Sequence, residues 1–144
     1  MIDEGAFAFH SLDALDGWNA MLGIQFENLV YNNLSSIVPR LGLGRVLLKS
    51  AAPYVQRATS RQKGCQIDLL LQSEGMVCVV EIKRRQEIGT EVEQEVARKV
   101  QALKVPRDVT VRTALVYDGK LSPRVEARGY FDYLVPVDDF IRAQ

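Results

Sequence analysis

The sequence predicts an α/β domain with a central mixed β-sheet flanked by α-helices, and three patterns carry that expectation. Apolar residues recur at three- and four-residue steps from Trp18 to Val38. Two β-rich runs, Gln66 to Leu71 and Met76 to Lys83, flank the turn Ser73-Glu74-Gly75. A second apolar stripe, Val92, Val96, Val100 and Leu103, follows at helical spacing. A period near 3.6 marks a helix that buries one face, and β-branched runs around a glycine turn mark a hairpin.

The first stripe, Trp18, Met21, Leu22, Phe26, Leu29, Val30, Leu34 and Ile37, makes one amphipathic helix. Asp16 is its expected cap, and Pro39 with Gly42 and Gly44 ends it. Glu27 lies at the edge of this stripe, facing a core-side cleft. Arg45 to Lys49 reads as a short strand, and Ser50 to Gly64 as an irregular or weakly paired stretch broken by Pro53. In the hairpin the second arm is apolar nearly throughout, as a strand covered on both faces should be. Thr90 and Glu93 form a capping box for the second helix, which Pro106 closes. A strand from Val109 to Tyr117 ends at Asp118-Gly119; Tyr130 to Val137 is another, and Asp138 to Arg142 a short helix. Residues 1–17 read as an extension, with Gly5 to His10 either packed on the core or, as the preferred reading, an apolar stump of an upstream module, and residues 18–144 as the domain.

A chain of 144 residues with 47% hydrophobic and 25% charged residues suits one globular domain. No run approaches the roughly 18 apolar residues of a membrane span, and Met1-Ile2-Asp3-Glu4 lacks the basic start of a secretory signal, so the expectation is a cytoplasmic protein without a membrane partner. Cys65 and Cys78 lie too far apart for a C-x-x-C site and read as free thiols. The net charge of zero argues against a grip on nucleic acid by overall field. Its distribution is uneven. Acids dominate before Arg45, whereas Lys49 to Arg85 carries Arg61, Lys63, Arg84 and Arg85, the candidate contacts to nucleic acid. A solvated basic face is the plainer reading of the same cluster.

Side chains two apart on a strand share a face, so Glu81 and Lys83 project together. Asp68, on the facing arm, can lie beside Glu81. Two carboxylates forced together in an apolar sheet raise each other's pKa unless a cation sits between them. Ligation by oxygen alone suits Mg²⁺ or Mn²⁺ and not zinc; the single histidine, His10, is distant in sequence and reads as packed or exposed. Such an ion lowers the pKa of water and polarises a phosphoryl oxygen, with Lys83 orienting the attacking hydroxide and itself held by Asp68 and Glu81. A Glu-x-Lys on a strand is also common as an exposed ion pair. The apolar strand before Glu81, the acid on the facing arm and Glu27 favour the metal-dependent phosphodiesterase.

Glu27 on a first helix, Asp68 opening a strand, Glu81-Ile82-Lys83 on the next and a helix after it resemble the PD-(D/E)XK nuclease superfamily, whose fold is restriction-endonuclease-like. More narrowly, Gly23 to Leu29, Gly64 to Leu70, Glu81-Ile82-Lys83 and Lys99 are similar to the C-terminal domain of a group of prokaryotic AAA-type ATPases. The likeness spans about Trp18 to Ile141. It implies Asp68 and Glu81 as metal ligands, Lys83 as catalytic lysine and Glu27 as an accessory acid. Lys99 and Glu95, one turn apart, reach the site or form a surface pair; Gln94 falls on the far side, and Ile67 stands where the family often has proline. No Gly-x-x-x-x-Gly-Lys-Ser/Thr loop occurs, so the likeness implies an ATPase module upstream.

The sequence thus points to a Mg²⁺-dependent nuclease domain acting on DNA. Two other readings stay open: a catalytically inactive module of the same fold that docks nucleic acid or protein, and a homodimerisation domain joined through Phe7, Phe9, Tyr130, Phe131 and Tyr133.

Overall fold

A computed structural model describes residues 12–141, with side chains from residue 17 onward. The apolar stretch from Gly5 to His10, with Phe7 and Phe9, lies outside the described residues, so the upstream stump is not addressed.

The architecture is a five-stranded mixed sheet between two helical layers. Its strands are β1 (Ser50–Gln56), β2 (Cys65–Ser73), β3 (Met76–Ile88), β4 (Thr110–Leu121) and β5 (Tyr133–Pro136), lying side by side in that order. The β1–β2 and β2–β3 pairs are antiparallel; β3–β4 and β4–β5 are parallel. Helix α1 (Leu12–Tyr31) and the short α2 (Leu34–Ile37) cover one face, and α3 (Glu91–Ala102) and α4 (Pro123–Arg128) the other. A last helix, α5 (Val137–Ile141), adds Phe140 to the first face.

Central β3 explains the two layers. Cys78, Val80 and Ile82 pack with Phe26 and Val30 of α1, while Val77 and Val79 pack with Val92 and Val96 of α3. Both faces are dry, as its apolar run requires. Burial pushes the Cys78 thiol up to about 12 and leaves it an inert core residue.

Several local expectations are corrected. Helix α1 runs from Leu12, so Asp16 lies inside it and is no cap. It stops at Tyr31, where Asn33 Nδ2 donates to the Leu29 carbonyl at 2.7 Å and competes with the helical ladder. Trp18 and Met21 stay 44% and 40% exposed, so the start of the stripe is not core. Arg45 to Lys49 forms no strand. The strand is β1, running through Pro53, which has no ladder partner on this outer strand, where its missing N–H is tolerated. Nor does the Thr90–Glu93 capping box form. Thr90 makes no side-chain cap, and Glu93 is buried with Arg128 Nε 3.0 Å from its carboxylate.

Asp118-Gly119 does not end β4. The strand continues to Leu121 beside the extension of β3, with a register shift between Arg84 and Glu87. Gly119 has φ +137°, and a Cβ there would fall on the Arg85 carbonyl oxygen. Only glycine admits this approach.

Finally, Phe131 is buried and Tyr130 and Tyr133 are half-buried. Tyr130 stacks edge-on to Phe131 with centroids 5.2 Å apart, and the Tyr133 hydroxyl accepts from Arg112 at 2.9 Å. Phe131 belongs to the core, and Tyr130 and Tyr133 pack against it.

Candidate active site

The β2–β3 ladder runs from Ser73–Met76 to Leu69–Val80 and then stops. Beyond that point β2 pairs only with β1, and the two strands of that pair fall out of step. The step from Ala52 to Tyr54 on β1 matches the longer step from Leu70 to Ile67 on β2, so β2 holds one extra residue. This is a bulge, and it re-aims the side chains around Asp68. Asp68 then takes over for the ladder. Its Oδ2 accepts the Ile82 amide at 2.9 Å, which fixes the carboxylate at the mouth of the parting strands.

Glu81 follows Val80 on β3, next to that mouth, and its side chain is 3% exposed. Burial first, then a hydrogen bond with the Asp68 carboxylate and its charge, raise the Glu81 carboxyl to about 8, against the pull of Lys99. Lys99 reaches down from α3, its Nζ 3.1 and 3.2 Å from the two Glu81 oxygens. Lys83, two residues along the same face, donates to Glu95 Oε2 at 3.2 Å. The pairs are therefore crossed between strand and helix. Lys83 is held by Glu95 and not by Asp68 and Glu81, and the Lys99–Glu95 surface pair is not what forms.

Helix α1 closes the third side. Glu27 lines the cleft; desolvation raises its pKa, with Asp68 adding to the rise and Lys83 and Lys99 opposing it. One turn on, the Tyr31 hydroxyl donates to the Asp68 carbonyl at 2.8 Å and ties α1 to β2. Sequence reasoning does not single out Tyr31, although its four-residue spacing from Glu27 puts both on one helix face.

These groups sit in a cleft of about 960 Å³. Of the candidate contacts, Arg61 and Lys63 line it. Arg84 and Arg85 do not. The outward extension of β3 carries them away, Arg84 to Asp118 at 3.5 Å and Arg85 to Glu91 at 3.3 Å. Arg98 and Lys104, which the sequence did not mark, line the cleft instead, while Gln94 is exposed and outside it.

Among the described residues no three His, Cys, Asp or Glu side chains are grouped to ligate an ion. A cation here would meet two carboxylates, Asp68 and Glu81, and complete its shell with water. That donor set suits Mg²⁺, which keeps several waters and binds through one or two carboxylates. With Lys83 paired to Glu95, Lys99 is the one ammonium in direct contact with the acids Glu27, Asp68 and Glu81 among the described residues.

No family model matches the chain, and a comparison with curated proteins finds none similar to it.

Proposed function

We propose that this is a Mg²⁺-dependent phosphodiesterase domain with the restriction-endonuclease-like fold, of the PD-(D/E)XK type, acting on DNA. The single observation that carries the reading is the convergence of Asp68, Glu81, Lys83 and Glu27 from three elements on one cleft. Adjacent carboxylates beside amines, held in a polar cleft on a dry sheet, recur where charge has to be handled during a reaction. The resemblance in motif order adds the fold, the substrate and a place after an AAA-type ATPase module.

Asp68 and Glu81 would hold a divalent cation, which when bound would supply the charge that polarises a phosphoryl oxygen and acidifies water. Lys83, aimed by Glu95, orients the nucleophile and offsets charge on the phosphate. Glu27, whose raised pKa suits a proton carrier, accepts the proton the attacking water gives up. Asp68 is rigid because its carboxylate and its carbonyl are both hydrogen-bonded, so the ligand geometry is set in advance.

One observation favours a second reading. Lys99–Glu81 and Lys83–Glu95 already compensate two of the acids without any metal, as an inactive ionic cluster would. Calorimetric titration with Mg²⁺ and Mn²⁺ separates the two, run on wild type and Glu81→Ala and joined to cleavage assays on duplex, single-stranded and branched DNA. Binding lost in Glu81→Ala, with cleavage lost in Asp68→Ala, supports the enzyme. No binding and no cleavage leaves the inactive module.

A further inference from the structure

We propose that Arg61, Lys63, Arg98 and Lys104, fastened into one wall of the cleft by the buried amide of Gln56, form a preformed surface that binds a nucleic-acid backbone through its phosphates and reads no bases. The proposal deepens the phosphodiesterase reading and rests on it in one respect: the bound backbone must pass over Asp68 and Glu81.

Gln56 ends β1 and is buried. Its Nε2 donates to the Lys63 carbonyl at 2.7 Å and to the Ala102 carbonyl at 2.7 Å, and its Oε1 accepts from the Lys104 amide at 2.9 Å. One side chain therefore joins the loop that carries Arg61 and Lys63 to the end of α3, beside Arg98 and Lys104. A buried amide with three short bonds is costly to disturb, because each group released would be left unsatisfied. The loop is also bonded within itself. The Thr59 amide donates to the Gln62 carbonyl at 2.9 Å, and Gln62 Nε2 to the Arg57 carbonyl at 2.8 Å. At Gly64 a Cβ would lie 3.1 Å from both the Gln56 carbonyl oxygen and the Ala58 nitrogen, so the chain there already runs at close contact. Such a surface is ordered before it meets a ligand, which lowers the entropic cost of binding.

The charges are available. None of the four cations pairs with a described carboxylate, whereas Lys83, Arg84, Arg85 and Lys99 all do. Arg98 spends only its Nε, on the Gln94 carbonyl at 3.4 Å. Among the described residues the lining also contains no aromatic side chain. Recognition of unstacked bases uses aromatic platforms, and base-edge reading puts a helix or ribbon into a groove. On this wall Arg61, Lys63, Arg98 and Lys104 present ammonium and guanidinium groups, and contacts to phosphate carry position without sequence.

The test measures binding in EDTA, where hydrolysis is absent, by fluorescence anisotropy of short DNA duplexes of unrelated sequence across a salt series. With about four phosphates engaged, the slope of log affinity against log salt is about −3.6, a loss of roughly a hundredfold between about 50 and about 200 mM. Each of Arg61→Ala, Lys63→Ala, Arg98→Ala and Lys104→Ala lowers that slope by about 0.9 and weakens all sequences alike. Gln56→Met reduces slope and affinity together, a change that lost thermal stability alone would not produce. If Gln56→Met does not fold, the four alanine variants still decide. Strong preference among duplex sequences, slopes unmoved by the four variants, or equal competition by polyglutamate would overturn the proposal. Salt-dependent binding without cleavage in Mg²⁺ keeps this surface and removes the catalytic reading; cleavage with slopes unmoved does the reverse.

Discussion

Lys99 and Glu81 meet across the floor of the cleft, with the lysine Nζ 3.1 Å from one carboxylate oxygen and 3.2 Å from the other. The acid is 3% exposed and the amine 26%, so the strand supplies a fixed carboxyl group and the helix a partner that can withdraw toward solvent. An arriving cation would compete with that ammonium for the same oxygens.

Removing the ammonium should therefore favour the ion and harm the metal-free protein. Lys99→Met is expected to tighten Mg²⁺ binding by at least about tenfold, since a unit charge a few ångströms away opposes the ion even at an effective dielectric near 20. The metal-free fold should lose about 1–3 kcal/mol, the cost of leaving a buried acceptor without its donor. Calorimetry and urea unfolding in EDTA read the two effects. Unchanged affinity would show that the ion sits elsewhere.

The Glu81 carboxyl gives the metal-free protein a pH dependence of definite sign. Its folded pKa, about 8, lies above the ordinary value of 4.5, so the folded chain keeps a proton that the unfolded chain releases. This contribution to stability is complete below about 4.5 and is lost as pH rises through about 8. Raised Glu27 acts in the same direction. Unfolding in EDTA should show falling stability across that window, Glu81→Gln should flatten the fall, and Mg²⁺ should reverse it. Stability that rises with pH in EDTA and is indifferent to Glu81→Gln would contradict the assignment.

The sheet and its two covering layers were legible because the apolar code is local and periodic: β3 could be read from Val77 to Ile82 without knowing its neighbours. What stayed hidden depended on contacts between distant segments. Pro53 reads as a break until β1 is seen to be an outer strand, and Gly119 reads as an end until Arg85 is seen against it. At the candidate site, strand parity put Glu81 and Lys83 on one face and the facing arm brought Asp68 near. The crossed pairing with Lys99 and Glu95 depends on where α3 lies, which no strand pattern contains. Gln56 was invisible for the same reason, since its three partners come from two other segments.

Gly119 offers a test of the extended β3–β4 ladder. Alanine there must both leave φ +137° and clear the Arg85 carbonyl, so Gly119→Ala should destabilise by about 3 kcal/mol or more. Gly75 is the control. It also has a positive φ, +78°, but a Cβ added there would meet nothing within 4 Å, and Gly75→Ala should cost only about 1 kcal/mol. Equal losses in urea unfolding would mean that the close approach at Arg85 is absent in solution.

Glu95 is expected to act through Lys83. It holds the Lys83 ammonium at 3.2 Å by Oε2 while Arg85 Nη2 stands 3.8 Å from Oε1, so the acid is itself braced from outside the cleft. Glu95→Gln keeps the shape and removes the charge that aims the lysine. If Lys83 stabilises charge at the phosphate, Lys83→Met should lower kcat by about 10²- to 10³-fold, the scale of losing one preorganised donor. Glu95→Gln should lower kcat by about tenfold, with KM nearly unchanged, because the lysine is present but less well aimed. A Glu95→Gln effect confined to KM would instead make Glu95 part of the binding wall, and full activity in Lys83→Met would remove the lysine from the reaction.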